Sequence, residues 1–257
     1  MTLDIKPVYE VEYIDNNGHF YIMNGVKYPS VTSVLGIIGG DKTQALMGWA
    51  KKVSIEFISK ELKEMIGKDI KIDDAFIDNI GKVGKQRPKW ELEKAGNFGN
   101  RAHDAIDNFI IDGRLPTDDE IRPVFDGFIK WTKEHKFNII SGDMTVGSKK
   151  HGFGGRMDAL AIDEEGNYII LDWKTSNYFS KDYALQVAAY AAAFAEQYNV
   201  PLPKKCYIVK FAKTDAIYEI KEVEDVPNTF LAFLAAKKLK DTLDGDVYKV
   251  EEYEYEV

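Results

Sequence analysis

A single cysteine, Cys206, stands among 257 residues. One thiol excludes an internal disulfide, a cysteine-rich zinc site and an iron–sulphur cluster, and it fits a reducing compartment. Long apolar runs are also missing. The longest, residues 187–195, falls far short of the ~20 residues that span a bilayer. Residues 1–6 lack the apolar stretch of a signal peptide. No membrane association is expected. Basic charge is in deficit, with 34 Lys and Arg against 42 Asp and Glu, a net charge of −8. That argues against a protein that coats nucleic acid by bulk charge, but not against a local basic groove. The deficit is concentrated: residues 241–257 hold seven acids and one lysine, leaving the rest nearly neutral. There is no internal repeat and no low-complexity linker.

What is present reads as a globular chain, 45% hydrophobic and 30% charged, long enough to bury a sizeable core. Tyr9, Val11 and Tyr13 alternate, Asn17-Gly18 offers a tight turn, and residues 20–23 return as a hairpin. Pro29-Ser30 caps a short helix from Val31, and a polar helix follows over residues 44–64. Residues 81–89 carry Lys82, Lys85, Arg87 and Lys89 with no acid between them, and two glycines and Pro88 predict a loop there. A helix starts at Gly96-Asn97 and ends before Gly113. Thr117 and Glu120 form a capping box for the next helix, which runs to about His135.

Three consecutive strands follow, over residues 139–146, 154–162 and 167–173. An alanine-rich helix covers 182–198, two strands 206–211 and 217–223, and a last helix 229–243. The order gives a mixed α/β fold. Residues 1–95 read as an N-terminal extension of hairpin plus helices, 96–243 as the core, and 244–257 as an acidic tail.

The chemistry gathers on two strands. Glu164-Glu165-Gly166 fits a three-residue hairpin loop. That register sets Ile162 opposite Tyr168, Leu160 opposite Ile170 and Asp158 opposite Asp172. The two carboxylates would then have Cβ atoms ~5 Å apart. Lys174, two residues beyond Asp172, points to the same face. Like charges so placed are destabilising unless compensated, and oxygen ligands suit Mg²⁺ or Mn²⁺. Trp173 points the other way, into the core.

Four motifs now stand in order: Gly99 with His103, Gly155 with Asp158, Asp172 with Lys174, and Gln186 with Tyr190. In that order they resemble the RecB-like branch of the PD-(D/E)XK nucleases. Residues 29–35 and Trp49 are similar to the N-terminal part of phage exonucleases and of mitochondrial genome maintenance exonucleases. The resemblance implies a restriction-endonuclease-like core with a mixed central sheet flanked by helices. It implies metal ligation by His103, Asp158, Asp172 and the Trp173 backbone carbonyl, with Lys174 orienting water and stabilising the transition state. Gln186 and Tyr190, one helical turn apart, would support DNA or Lys174, or simply edge a core helix. Thr175 and Ser176 would contact phosphate.

Related nucleases often carry a Glu on the strand before the Gly155–Asp158 motif, where this chain offers only Asp143. The basic run from Lys82 to Lys89 would track a single strand beside Trp90, or be a solvated surface. The expected activity is an Mg²⁺- or Mn²⁺-dependent deoxyribonuclease, first an exonuclease on single-stranded or resected ends in recombination, replication or repair. A structure-directed or restriction-type endonuclease is the nearest alternative, and a catalytically silent DNA-end-binding recombination scaffold is another. DNA is the expected partner, with a single-strand annealing or binding protein as a second. The expected location is the cytoplasm of a bacterial or phage-infected cell, or another reducing compartment.

Overall fold

A computed structural model describes residues 5–15, 18–69 and 72–245. Asn17 of the expected turn and residues 246–257 of the acidic tail lie outside the described residues. Near the N-terminus β1 (Glu12–Asp15), β2 (His19–Met23) and β3 (Val26–Pro29) form an antiparallel sheet. The first two strands are the expected hairpin. The third is announced by Asn24-Gly25, whose φ values of 50° and 77° suit the type I′ turn of a two-residue hairpin. Ser30 caps α1 (Val31–Leu35) as expected, its hydroxyl accepting from Ser33 N at 3.0 Å.

The helices α2 (Gly40–Lys63) and α3 (Asp74–Asp112) follow. Residues 39–101 form a compact unit of their own, and residues up to Ile38 join those from Ala102 onward in the other. The loop expected at residues 81–89 is corrected here: it is α3, which also runs through the helix start expected at Gly96. Gly84 and Pro88, the residues that suggested a loop, are the buried ones, while Lys82, Lys85 and Lys89 are exposed. A Cβ on Gly84 would lie 2.8 Å from Ile58 Cδ1 of α2, so the glycine sits where two helices touch. Pro88 forfeits the bond to the Gly84 carbonyl, a cost of ~3 kcal/mol or more in a helix interior, yet it is buried there. The missing acids come one turn later. Arg87 pairs with Glu91 at 2.8 Å and Lys89 with Glu93 at 3.7 Å.

After α3 the chain makes α4 (Arg122–Glu134). The capping box expected from Thr117 and Glu120 does not start it. Ile121 occupies the cap without a side-chain bond, and Pro123 falls in the first turn, where its missing N–H costs nothing. Asp118 instead accepts from Glu120 N at 3.0 Å in the preceding turn.

The central sheet has five strands in the order β4 (Asn138–Ser148), β5 (Phe153–Ile162), β6 (Tyr168–Lys174), β7 (Lys205–Phe211), β8 (Tyr218–Glu222). Only the β6–β7 pair is parallel, and α5 (Asp182–Tyr198) is its crossover. The β5–β6 register matches the expectation, with Leu160 opposite Ile170 and Ile162 opposite Tyr168. Gly166 at φ 83° closes the turn, and Asp163 Oδ1 accepts from Asn167 N at 2.9 Å. The last helix is α6 (Val226–Asp244).

Both faces of the sheet are covered. Leu160 and Ile170 pack in one cluster with Val31 and Val34 of α1, Val187 and Phe194 of α5, and Phe233 of α6. Trp173 packs against Trp131 and Phe128 of α4, with ring centroids 5.2 and 5.6 Å apart. Asp172, Trp173 and Lys174 alternate, so the charged residues and the tryptophan leave β6 on opposite sides. Among the described residues no helix is long and apolar enough to cross a membrane.

Candidate active site

Three elements bring the expected residues together. The end of α3 supplies His103, β5 supplies Asp158, and β6 supplies Asp172 and Lys174. His103 Nδ1 lies 3.0 Å from Asp158 Oδ1. The other oxygen of Asp158 accepts from Trp173 N at 2.6 Å, so the Trp173 peptide enters the site through its N–H. Lys174 Nζ sits 2.5 Å from Asp172 Oδ2 and 4.8 Å from the centre of the Tyr183 ring. Asp172 is 1% exposed.

Burial and charge oppose each other here. Burial alone would raise Asp158, but His103, Lys174 and the Trp173 N–H hold it below its ordinary value. Burial pushes Asp172 up to about 6, with Asp158 adding to the rise and Lys174 opposing it. Burial would lower Lys174, yet Asp172 and Asp158 keep it raised. Burial would also lower His103, but Asp158 outweighs it and holds the ring up at about 9.

A folded value of about 9 against an ordinary 6.5 means that folding favours the charged ring. The stabilisation is fully present below pH 6.5 and is lost as pH rises through about 9. In metal-free protein, His103→Gln is expected to cost at most ~3 kcal/mol near pH 6 and little above pH ~9.5. Urea melts of both proteins across that range check it.

Asp107, one turn after His103 on α3, was not singled out by the sequence motifs. Its Oδ1 is buried with no hydrogen-bond partner among the described residues. Burial, then Asp158 and Asp143, push its carboxyl up to about 7. Gly142 makes room for it, since a Cβ there would lie 3.3 Å from Ile110 Cγ2 and 3.6 Å from Asp107 Oδ1. The signal was the i, i+4 spacing from His103. Asp143 is occupied otherwise: Arg156 grips both its oxygens, Nη2 to Oδ2 at 2.6 Å.

The supporting residues are placed as follows. Gln186 Nε2 donates to the Tyr190 hydroxyl at 2.7 Å. A Cβ on Gly155 would lie 2.3 Å from Tyr190 Cε1, and one on Gly154 would lie 2.3 Å from Tyr21 Cγ. The glycine pair meets a tyrosine at each position, which is why residues 154 and 155 of β5 are both glycine. Ser176 Oγ donates to the Tyr178 carbonyl at 2.8 Å, and Thr175 and Ser176 line a cleft next to Lys174. Lys82, Lys85, Arg87 and Lys89 belong to the 39–101 unit.

No group of three or more His, Cys, Asp or Glu among the described residues is assembled as a metal cage. The donor chemistry nevertheless suits a hard divalent cation. Asp107, Asp158 and Asp172 supply carboxylates, and Asp107 Oδ1 has no donor among the described residues. His103 and Lys174 now hold the positive charge that such an ion would bring.

A sequence model of the PD-(D/E)XK nuclease superfamily matches residues 119–255, just over half of the chain. A search of curated proteins found no match. Among solved structures, SSO0001 is 16% identical at a TM-score of 0.30, over 47% of this chain and 57% of that one. This chain thus spans little more than half of that protein's length. An alkaline exonuclease, LHK-Exo from Laribacter hongkongensis, is 13% identical at a TM-score of 0.31, over 56% of this chain and 82% of its own. Its complex with dAMP aligns over 83% of its length, with the same identity and score. The matched segment contains Asp158, Asp172 and Lys174 on adjacent strands, and the chain belongs to the PD-(D/E)XK nuclease superfamily.

Proposed function

We propose that the protein is a metal-dependent deoxyribonuclease that acts at DNA ends, in recombination, replication or repair. The observation that carries the reading is the buried Asp158–Asp172–Lys174 group, with His103 and Asp107 facing it from one helix. Burying several carboxylates together is costly even with a lysine and a histidine to offset them, and such a cluster is kept where it serves a ligand.

Asp158, Asp172, His103 and the Trp173 carbonyl would hold Mg²⁺ or Mn²⁺, and the bound ion supplies Lewis-acid polarisation of the scissile phosphate. Lys174 is anchored by Asp172, so its ammonium is aimed before substrate arrives. It orients the attacking water and stabilises the charge that grows on the phosphate. Gln186 and Tyr190 brace the Asp172 side of the site. The exposed lysines of α3 with Trp90 track the backbone of a single strand, and a single-strand annealing or binding protein would present that strand.

The choice of ends rests on the likeness of residues 29–35 and Trp49 to end-directed exonucleases. Linear and circular DNA, labelled at each end, separate the readings. Cleavage of linear DNA only, with Mg²⁺ or Mn²⁺ and abolished by EDTA, is expected. Cleavage of circular DNA at the same rate would replace the exonuclease by an endonuclease. Wild-type protein that binds DNA but leaves linear single-stranded, duplex and flapped substrates intact with either metal would be a silent scaffold.

A further inference from the structure

Where β6 ends at Lys174, the chain runs on along a cleft of about 360 Å³. That volume lies within the ~300–1,000 Å³ range of small-molecule sites. Its lining includes Thr175, Ser176 and Asn177, which follow Lys174 directly, and Lys210, Lys213 and Thr214 from the β7–β8 hairpin. Hydroxyls, an amide and two lysines therefore line one concave surface beside the proposed catalytic ammonium.

The lysines are arranged at a cost. Lys174 and Lys210 are register partners on parallel strands. Like charges side by side on neighbouring strands repel. Lys174 has the buried Asp172 as counter-charge. Lys210 is only 13% exposed, and its counter-charge is Glu219 at 2.5 Å, which is 58% exposed. The lysine end is buried and needs a counter-charge, while the acid end is open to water. Lys221 adds to the same charge: Lys210 Nζ and Lys221 Nζ lie 5.0 and 4.5 Å from the centre of the Phe179 ring. Beside its apolar wall of Phe211, Ala212 and Ile217, the cleft thus offers two lysines and several donors, and its acid, Glu219, has an exposed side chain that an anion can displace.

We infer that this cleft is a phosphate subsite, which holds a phosphate of the DNA strand next to the one being cleaved. The inference rests on the nuclease reading above and adds the position of the strand: it leaves the catalytic group along the end of β6 and over the β7–β8 hairpin. Glu219 releases Lys210 when the phosphate enters. The shared chemistry is a phosphate oxygen, from a terminal monoester or an internal diester.

The test is the binding of a labelled oligonucleotide in EDTA across a salt series. The variants are Asn177→Glu and Thr214→Glu, both at exposed positions of the cleft, and Glu219→Gln. The two glutamates are expected to weaken binding several-fold, and Glu219→Gln to tighten it, a sign that loss of structure would not give. Lys210→Met is expected to reduce the slope of log K against log salt by ~0.7 for a single strand. Strands with a 5′ phosphate, with a 5′ hydroxyl and as closed circles distinguish the two sources. Effects confined to the phosphorylated strand assign a terminal monoester, and effects on all three assign an internal diester. Wild-type binding with unchanged affinity in all four variants would overturn the subsite and leave the nuclease reading standing. Wild-type protein that binds no DNA would overturn both.

Discussion

Lys174→Met is expected to lower DNA cleavage by about 10²–10³-fold, the loss typical of removing a preorganised charge from a transition state. Binding of the same DNA should persist, because the lysine is paired with Asp172 at 2.5 Å and is not the main source of charge. The variant also has a stability signature. Removing one partner of a buried ion pair leaves the other uncompensated, at ~3–5 kcal/mol. Here the orphan can escape by taking a proton, since the Asp172 carboxyl is pushed up to about 6 even with the lysine beside it. Its pKa in the variant rises further. A carboxyl raised on folding is better tolerated when protonated, so the deficit should shrink as pH falls through that value and grow above it. Single-turnover cleavage with anisotropy, and melts between pH 5 and 8, check the two parts. A variant that cuts like wild type would remove Lys174 from the chemistry.

Gly155→Ala is expected to destabilise the protein by about 1–3 kcal/mol, the usual cost of overpacking. The added Cβ meets Tyr190 Cε1 at 2.3 Å and Cδ1 at 2.8 Å. Tyr190 is 3% exposed, so its ring has little room to retreat. Displacing it also breaks the bond from Gln186, and the Tyr190 hydroxyl, whose pKa burial raises, is near enough to Asp172 for that carboxylate to raise it further. Activity should therefore fall by more than the loss of folded protein explains. Circular dichroism melts with kcat measured on the folded fraction separate the effects. Gly166→Ala is the comparison: nothing lies within 4 Å of its Cβ, and the cost there is the strain of φ 83° alone.

The part of the site that was legible in the sequence is the part set by local rules. The loop at Glu164-Glu165-Gly166 determines the β5–β6 register, and the register determines that Asp158 and Asp172 head for the same edge. Ser30 announced its helix by its own hydroxyl. Tertiary packing hid the rest. Gly84 and Pro88 punctuate the chain locally, yet they are the small and donor-poor residues that a close helix contact accepts. The box of Thr117 and Glu120 had a competitor in Pro123, whose place in a first turn is the stronger demand. Asp107 needed the helical phase of His103 to be followed one turn further. Asp143, the one acid the chain offers where related nucleases carry a Glu, is taken up by Arg156, thirteen residues away on the neighbouring strand.

The N-terminal segment carries one more consequence, for the order in which the protein is made. Val8 N donates to the Gln197 carbonyl at 2.7 Å, and the Tyr9 hydroxyl donates to the Gly147 carbonyl at 2.8 Å and meets Glu196 at 3.0 Å. Gly154 is bridged to Ser30 and overlaid by Tyr21. Residues 8–30 thus find their places only on β4, β5 and α5, which are made much later. At ~5–20 residues per second, Tyr9 waits on the order of 10–40 s on the ribosome before Glu196 exists. Throughout that interval the β1–β3 hairpins have no core to close upon, and their apolar side is open to chaperones. Long-range closure of this kind slows folding more than it weakens the folded state. The nascent chain, rather than the folded protein, is where this architecture is most exposed.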